Sequence, residues 1–247
     1  MSGLESWGLA AALLVVAALY STVGHGGASG YLAAMALFGL APETMRPTAL
    51  VLNVFVASLA VYHFGREGWF SWRLLWPFAV VSIPAAALGG AISLPEPVYR
   101  RVVGAILLWA AWHLFRMAGR AHDPGVRPPS LPVALGVGVL LGLLAGLTGV
   151  GGGIFLSPLL LAAGWAGAKE TAAVSAGFIL VNSAAGLAGL GAAGGAIPDG
   201  IGGWVVAAAA GGFSGSRLGA RRLEGEAIRR LLALVLVVAG VKFLLLL

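Results

Sequence analysis

Long apolar runs separated by short polar punctuation fill this chain. In order they cover residues 4–23, 44–64, 72–94 and 98–117, then 131–148, 170–190, 201–219 and 227–247. Each approaches the roughly 20 residues that an α-helix needs to cross a bilayer. Two shorter apolar pieces, over residues 31–40 and ending near 164, each follow a glycine cluster. Their length suits a half-helix or a tilted element. Apolar residues come in continuous stretches such as Leu231-Leu232-Ala233-Leu234-Val235. They do not alternate in segments of about ten, so the pattern is not that of a β-barrel. It predicts an all-α polytopic membrane protein of eight to ten helical segments.

The glycine clusters are the least helix-like part of the pattern. The first reads Gly24-His25-Gly26-Gly27-Ala28-Ser29-Gly30, the second Gly149-Val150-Gly151-Gly152-Gly153. Each glycine inside a helix costs about 1 kcal/mol against alanine, so both clusters predict breaks. A break ends where a new helix begins, and helix starts attract anions through bare N–H groups. Paired breaks at matched places in apolar sequence point to the binding site of a transporter.

The order of elements repeats. Gly24-His25-Gly26-Gly27 matches Gly149-Val150-Gly151-Gly152, Glu43-Thr44 matches Glu170-Thr171, and Gly90-Ala91 with Arg100-Arg101 matches Gly219-Ala220 with Arg229-Arg230. Residues 1–118 and 131–247 therefore form two membrane repeats, joined by a Pro-, Gly- and Arg-rich linker at 119–130. Each repeat holds a broken or re-entrant helix pair and three spanning helices. Basic loop residues set orientation. With the linker inside, eleven cations lie inside (Arg66, Arg73, Arg116, Arg120, Arg127, Lys169, Arg217, Arg221, Arg222, Arg229, Arg230) and four outside (Arg46, Arg100, Arg101, Lys242). That bias predicts inverted repeats with both termini outside; parallel repeats give nine against six at best.

Composition sharpens the class. Hydrophobic residues make up 60% and charged residues 10%, against about 25% charge in a soluble domain. The formal charge of +6 sits in loops and does not point to nucleic acid. There is no cysteine, so disulfides and thiolate metal sites are excluded. The first run lacks a basic leader and reads as mature structure. No Gly-Lys-Ser/Thr follows the glycines, so no P-loop is expected. Apart from Lys242, no cation is expected in the interior of an apolar run, and the interiors lack carboxylates, which argues against a cation path, a metal site or an intramembrane enzyme.

The polar side chains left within the runs are candidates for the site. His25 can donate to an anion or carry a proton. Asn53 and Asn182 can donate through their amides or bind neighbouring helices. Thr148, Ser175, Ser157, Thr48, Ser21, Thr22 and Ser29 surround the breaks, although such hydroxyls often bond their own helix. The expected substrate-binding set is Gly24, His25, Gly26, Gly27, Asn53, Thr148, Gly149, Gly151, Gly152, Gly153, Ser175 and Asn182, with no cofactor. Glu43 and Glu170 read as first-turn carboxylates; Trp69, Trp72 and Trp76 as interfacial anchors. Gly186, Gly189 and Gly191 permit close helix packing within one chain or in a homo-oligomer.

The runs GVGGGIFLSPLL from 149 to 160 and GHGGASGYL from 24 to 32, with the duplicated layout, resemble the TauE/SafE sulfite-exporter family. The resemblance spans nearly the whole chain. It implies a secondary transporter of the cell (inner) membrane for small sulfur-containing anions such as sulfite, thiosulfate or organosulfonates. Alternating access between inverted repeats would move the anion. An anion channel, or a transporter of another small anion, would use the same breaks. The family's Thr-Ser-Leu step is replaced here by Val174-Ser175-Ala176 and Pro47-Thr48-Ala49, a departure that bears on the substrate.

Overall fold

A computed structural model describes residues 3–117 and 129–221, with isolated positions 237, 241 and 244. The run expected over 227–247 and most of the linker lie outside the described residues. Those described form α-helices and no strand: α1 (Gly3–Ser21), α2 (Ala28–Leu37), α3 (Pro42–Arg66), α4 (Trp72–Ala91), α5 (Glu96–Met117), α6 (Leu131–Thr148), α7 (Gly153–Ala162), α8 (Ala168–Ala192) and α9 (Gly202–Arg221). Four of them, α3, α4, α6 and α8, are long and apolar enough to cross a membrane. Large side chains such as Phe55, Leu88 and Val206 stand exposed along the helices, as a lipid-facing surface requires. The chain is a multi-pass membrane protein.

Helix breaks fall at the glycine clusters, between α1 and α2 and between α6 and α7. Prolines do not end the helices that hold them: α4 runs unbroken through Pro77 and Pro84. Neighbouring helices and local adjustment can satisfy the carbonyls a proline frees.

Helix packing is crosswise between the halves. The matched helices α3 and α8 run antiparallel: Leu50 faces Gly186, Asn53 faces Ser183, and Ala60 and Phe64 cluster with Ala172, Ala173 and Ala176. Helix α4 of the first half lies along α6 and α8 of the second; α9 of the second lies along α1 and α3 of the first. Glycines every fourth residue allow this closeness. Gly138, Gly142 and Gly146 of α6 ride on the backbone of Phe78, Ser82 and Ala86. Gly211, Gly215 and Gly219 of α9 ride likewise on Leu14, Ala18 and Thr22. Gly186 and Gly189 are used within the chain, against Leu50 and Ala87, while Gly191 faces open space.

The short helix of the first pair turns back. Phe38, just past the end of α2, lies against Gly8 near the start of α1. The pair α1–α2 therefore enters and leaves on one face, and its break lies inside the protein.

Candidate functional site at the two helix breaks

The two breaks share their backbone geometry. Gly27 and Gly152 cap α2 and α7 with φ of 101° and 78°, a left-handed conformation that glycine alone adopts without strain. The first break is pinned by the Tyr31 hydroxyl, which donates to the Gly26 carbonyl at 2.6 Å. The N–H groups of Gly26, Gly27, Gly151 and Gly152 donate to no acceptor among the described residues. They sit where α2 and α7 begin, at the positive ends of those helices.

Both breaks arrive at one place. A Cβ on Gly26 would stand 2.6 Å from Asn53 Oδ1 and 2.9 Å from Ile179 Cγ2. On Gly151 it would stand 2.7 Å from Asn53 Nδ2, and 3.0 Å from both Ile179 Cγ2 and Ser183 Oγ. Gly153 also abuts Ile179. Thus one side chain of α3 and one of α8 touch both breaks, near the middle of two antiparallel helices. Asn53 is fully buried, donates to Ser183 Oγ at 3.2 Å, and its Oδ1 has no partner among the described residues.

A second polar strand runs across the halves. His25 Nε2 lies 2.8 Å from Ser157 Oγ on α7, and Ser157 donates to Ser175 Oγ on α8 at 2.7 Å. All three residues are buried. A histidine followed by two hydroxyls can pass a proton along the chain in either direction.

Other expected residues lie to the side. Gly24 lies against the Ala172 backbone at the start of α8, and a Cβ on Gly149 would stand 3.1 Å from the Arg46 carbonyl near the start of α3. The Thr148 hydroxyl turns back to the Leu144 carbonyl at 2.6 Å and accepts from Val150 N at 3.3 Å. Gly152 lies under the Phe178 ring. Asn182 donates to the Phe178 carbonyl at 2.8 Å, and its buried Oδ1 has no partner among the described residues.

Arg46 requires a correction. Expected as an outer-loop cation, it lies in the second turn of α3, only 7% exposed. It donates from Nε to Gly146 O (3.1 Å), from Nη1 to Ile92 O (2.8 Å), and from Nη2 to Gly89 O (2.8 Å) and Gly90 O (2.6 Å). One guanidinium therefore gathers the carbonyl ends of α4 and α6, where helix dipoles favour a cation. Tyr99 adds a bond to the Thr148 carbonyl at 3.1 Å. On the second half, Lys169 Nζ donates to the Gly219 and Ala220 carbonyls at the end of α9. Among the described residues no cluster of His, Asp or Glu is arranged to hold a metal.

A family model described as "Sulfite exporter TauE/SafE" matches residues 9–243. The chain belongs to the TauE/SafE family. It is also 43% identical over 243 residues to "Probable membrane transporter protein y4hK" of Sinorhizobium fredii (strain NBRC 101917 / NGR234), covering 97% of this chain and 98% of that one. No solved structure matches it. As a TauE/SafE protein the chain is a membrane transporter and not an enzyme. The TauE/SafE match takes in both breaks and both polar strands. Ser183 and Ile179, which the sequence did not flag, complete the place where the breaks meet.

Proposed function

We propose that this TauE/SafE protein carries a small sulfur-containing anion (sulfite, thiosulfate or an organosulfonate) across the cell membrane by alternating access. The observation that carries the reading is the meeting of Gly26 and Gly151 on Asn53 and Ile179. Two helix starts from matched places then address one point. Their N–H groups replace the water of an oxyanion and add positive potential without the trap of a full charge. A half-turn of the Asn53 amide keeps its shape and hands its NH2 to the breaks, while its oxygen accepts from Ser183. The antiparallel run of α3 and α8 and the crosswise packing support an inverted relation between residues 1–118 and 131–247; the loop-cation bias supports both termini outside. Rocking of one half against the other would open the site to each face in turn.

The test is a proteoliposome panel of sulfite, thiosulfate, sulfoacetate, taurine and sulfate against chloride and an amino acid. At least one sulfur anion is expected to be taken up saturably and to show counterflow when unlabelled anion is preloaded. Uptake without counterflow would make the protein a channel. Uptake of none of the sulfur anions would reject the substrate class.

A further inference from the structure

The ends of α3 and α9 leave the bundle side by side and enclose a cleft of about 250 Å³, on the C-terminal side of Asn53 along α3. Its charged walls are Arg66, Arg217 and Arg221 with a single carboxylate, Glu67. Arg221 Nε donates to Glu67 Oε1 at 2.9 Å, which neutralises one arginine. Arg66 is steadied by Tyr62, whose hydroxyl accepts from Nη1 at 2.9 Å and whose ring lies 5.6 Å from the guanidinium. Arg217 has no hydrogen bond or ion pair among the described residues and stands one turn from Arg221, a like charge. Among the described residues, two positive charges thus face the cleft without a carboxylate partner.

The other walls are apolar and open to the surroundings. Tyr62 is 53% and Phe213 46% exposed. Between them the His63 ring is held edge-on to Phe213 at 4.9 Å. The Ser216 hydroxyl gives its hydrogen to the Gly212 carbonyl at 2.6 Å, so it accepts from His63 Nδ1–H at 2.7 Å. A free inorganic anion has no use for exposed aromatic walls at the ends of α3 and α9. A phosphate bearing a glycerol and acyl chains does. We infer that this cleft holds the phosphate group of an anionic phospholipid, with Arg217 and Arg66 on its oxygens and Phe213 and Tyr62 against the start of its chains. Basic pockets between helix ends suit such headgroups.

The full chain, purified and stripped of lipid by detergent washing, is offered phosphatidylcholine, phosphatidylglycerol and cardiolipin in mixed micelles. Retained lipid is counted by native mass spectrometry. An anionic lipid is expected to be retained over phosphatidylcholine, with Arg217→Ala lowering that retention roughly fivefold, the effect of one surface cation. Arg217→Lys should keep most of it. Arg101→Ala, an exposed arginine on α5, which begins on the face opposite the cleft, should leave it unchanged. Equal retention of all three lipids, or equal loss in the Arg217→Ala and Arg101→Ala proteins, overturns the inference. So does complete displacement of the lipid by millimolar sulfate, which assigns the cleft to a free oxyanion.

Discussion

At the first break His25 reaches Ser157; at the matched place in the second break stands Val150, and Leu32 stands where the first half would need its own Ser157. The backbone is the same in both: left-handed caps at Gly27 and Gly152, with Gly24 on the start of α8 and Gly149 on the start of α3. What the halves share is the part an oxyanion would need, namely amides at helix starts. What they do not share is titratable. A single histidine can serve a task that needs one group, such as carrying a proton with the anion, without disturbing a site that needs two matched faces. The halves also differ in how a cation holds their helix ends. Lys169 aligns with Pro42, one helical turn before Arg46, yet the two reach aligned carbonyls, Gly219 and Gly90. Arg46 makes four such bonds in a buried place; Lys169 makes two in a partly exposed one.

The cation difference gives the largest expected effect. Arg46→Met takes a charged donor from four carbonyls, three of them in buried bonds, and should cost roughly 3–5 kcal/mol, a large share of a domain's stability. Lys169→Met should cost about 1 kcal/mol, since solvent can stand in for a partly exposed ammonium. Thermal melting of both proteins in one detergent checks this. Equal losses would mean that the two clasps are equivalent after all.

The shared backbone is tested next. Gly151→Val puts branched carbons onto Asn53, Ile179 and Ser183 and strains a φ of 77°. Gly26→Val collides with Asn53 and Ile179 without that strain. Both should lower sulfur-anion uptake by about a hundredfold, the scale of a misplaced binding geometry, in protein that still reaches the membrane. Gly167→Ala, which meets nothing within 4 Å, is the control. A loss in only one break would make the site belong to one half.

The unshared side chain comes third. His25→Ala removes one buried hydrogen bond to Ser157 and should lower uptake about tenfold; Val150→Ala should change it by less than about twofold. If His25 carries a proton, anion uptake should also lose its acceleration by an inward proton gradient in the His25→Ala protein. A Ser157→Ala partner measures coupling: the double variant should lose little more than His25→Ala alone.

The pattern of apolar runs was enough to place the helix breaks, because glycine clusters mark backbone that cannot continue a helix. The proposed repeat rests on the same signal, through paired glycines and paired Glu-Thr steps. Arg46 was not legible. It follows Pro42-Glu43-Thr44-Met45, a helix opening at the outer end of a run where a cation reads as facing outward, and its partners are carbonyls 43 to 100 residues away that carry no side-chain signal. Ser183 and Ile179 were hidden by context, since a serine or isoleucine in a Gly- and Ala-rich helix reads as packing. Only the crossing of α3 and α8 gives them their place.

Thr148 separates nearness in sequence from presence at the site, and its effect on transport is expected to be the smallest. It directly precedes the second break, so the sequence makes it a donor to the anion. Its hydrogen is already given to Leu144 at 2.6 Å, and its oxygen supports the Val150 N–H. Thr148→Val should therefore cost about 1 kcal/mol of stability, through the N–H left without an acceptor, while uptake stays within roughly twofold of the parent. Thr148→Ser keeps both bonds and should restore the melting temperature. A drop in uptake as deep as that of His25→Ala, with the melting temperature unchanged, would put the hydroxyl on the anion and extend the difference between the two breaks to a second side chain.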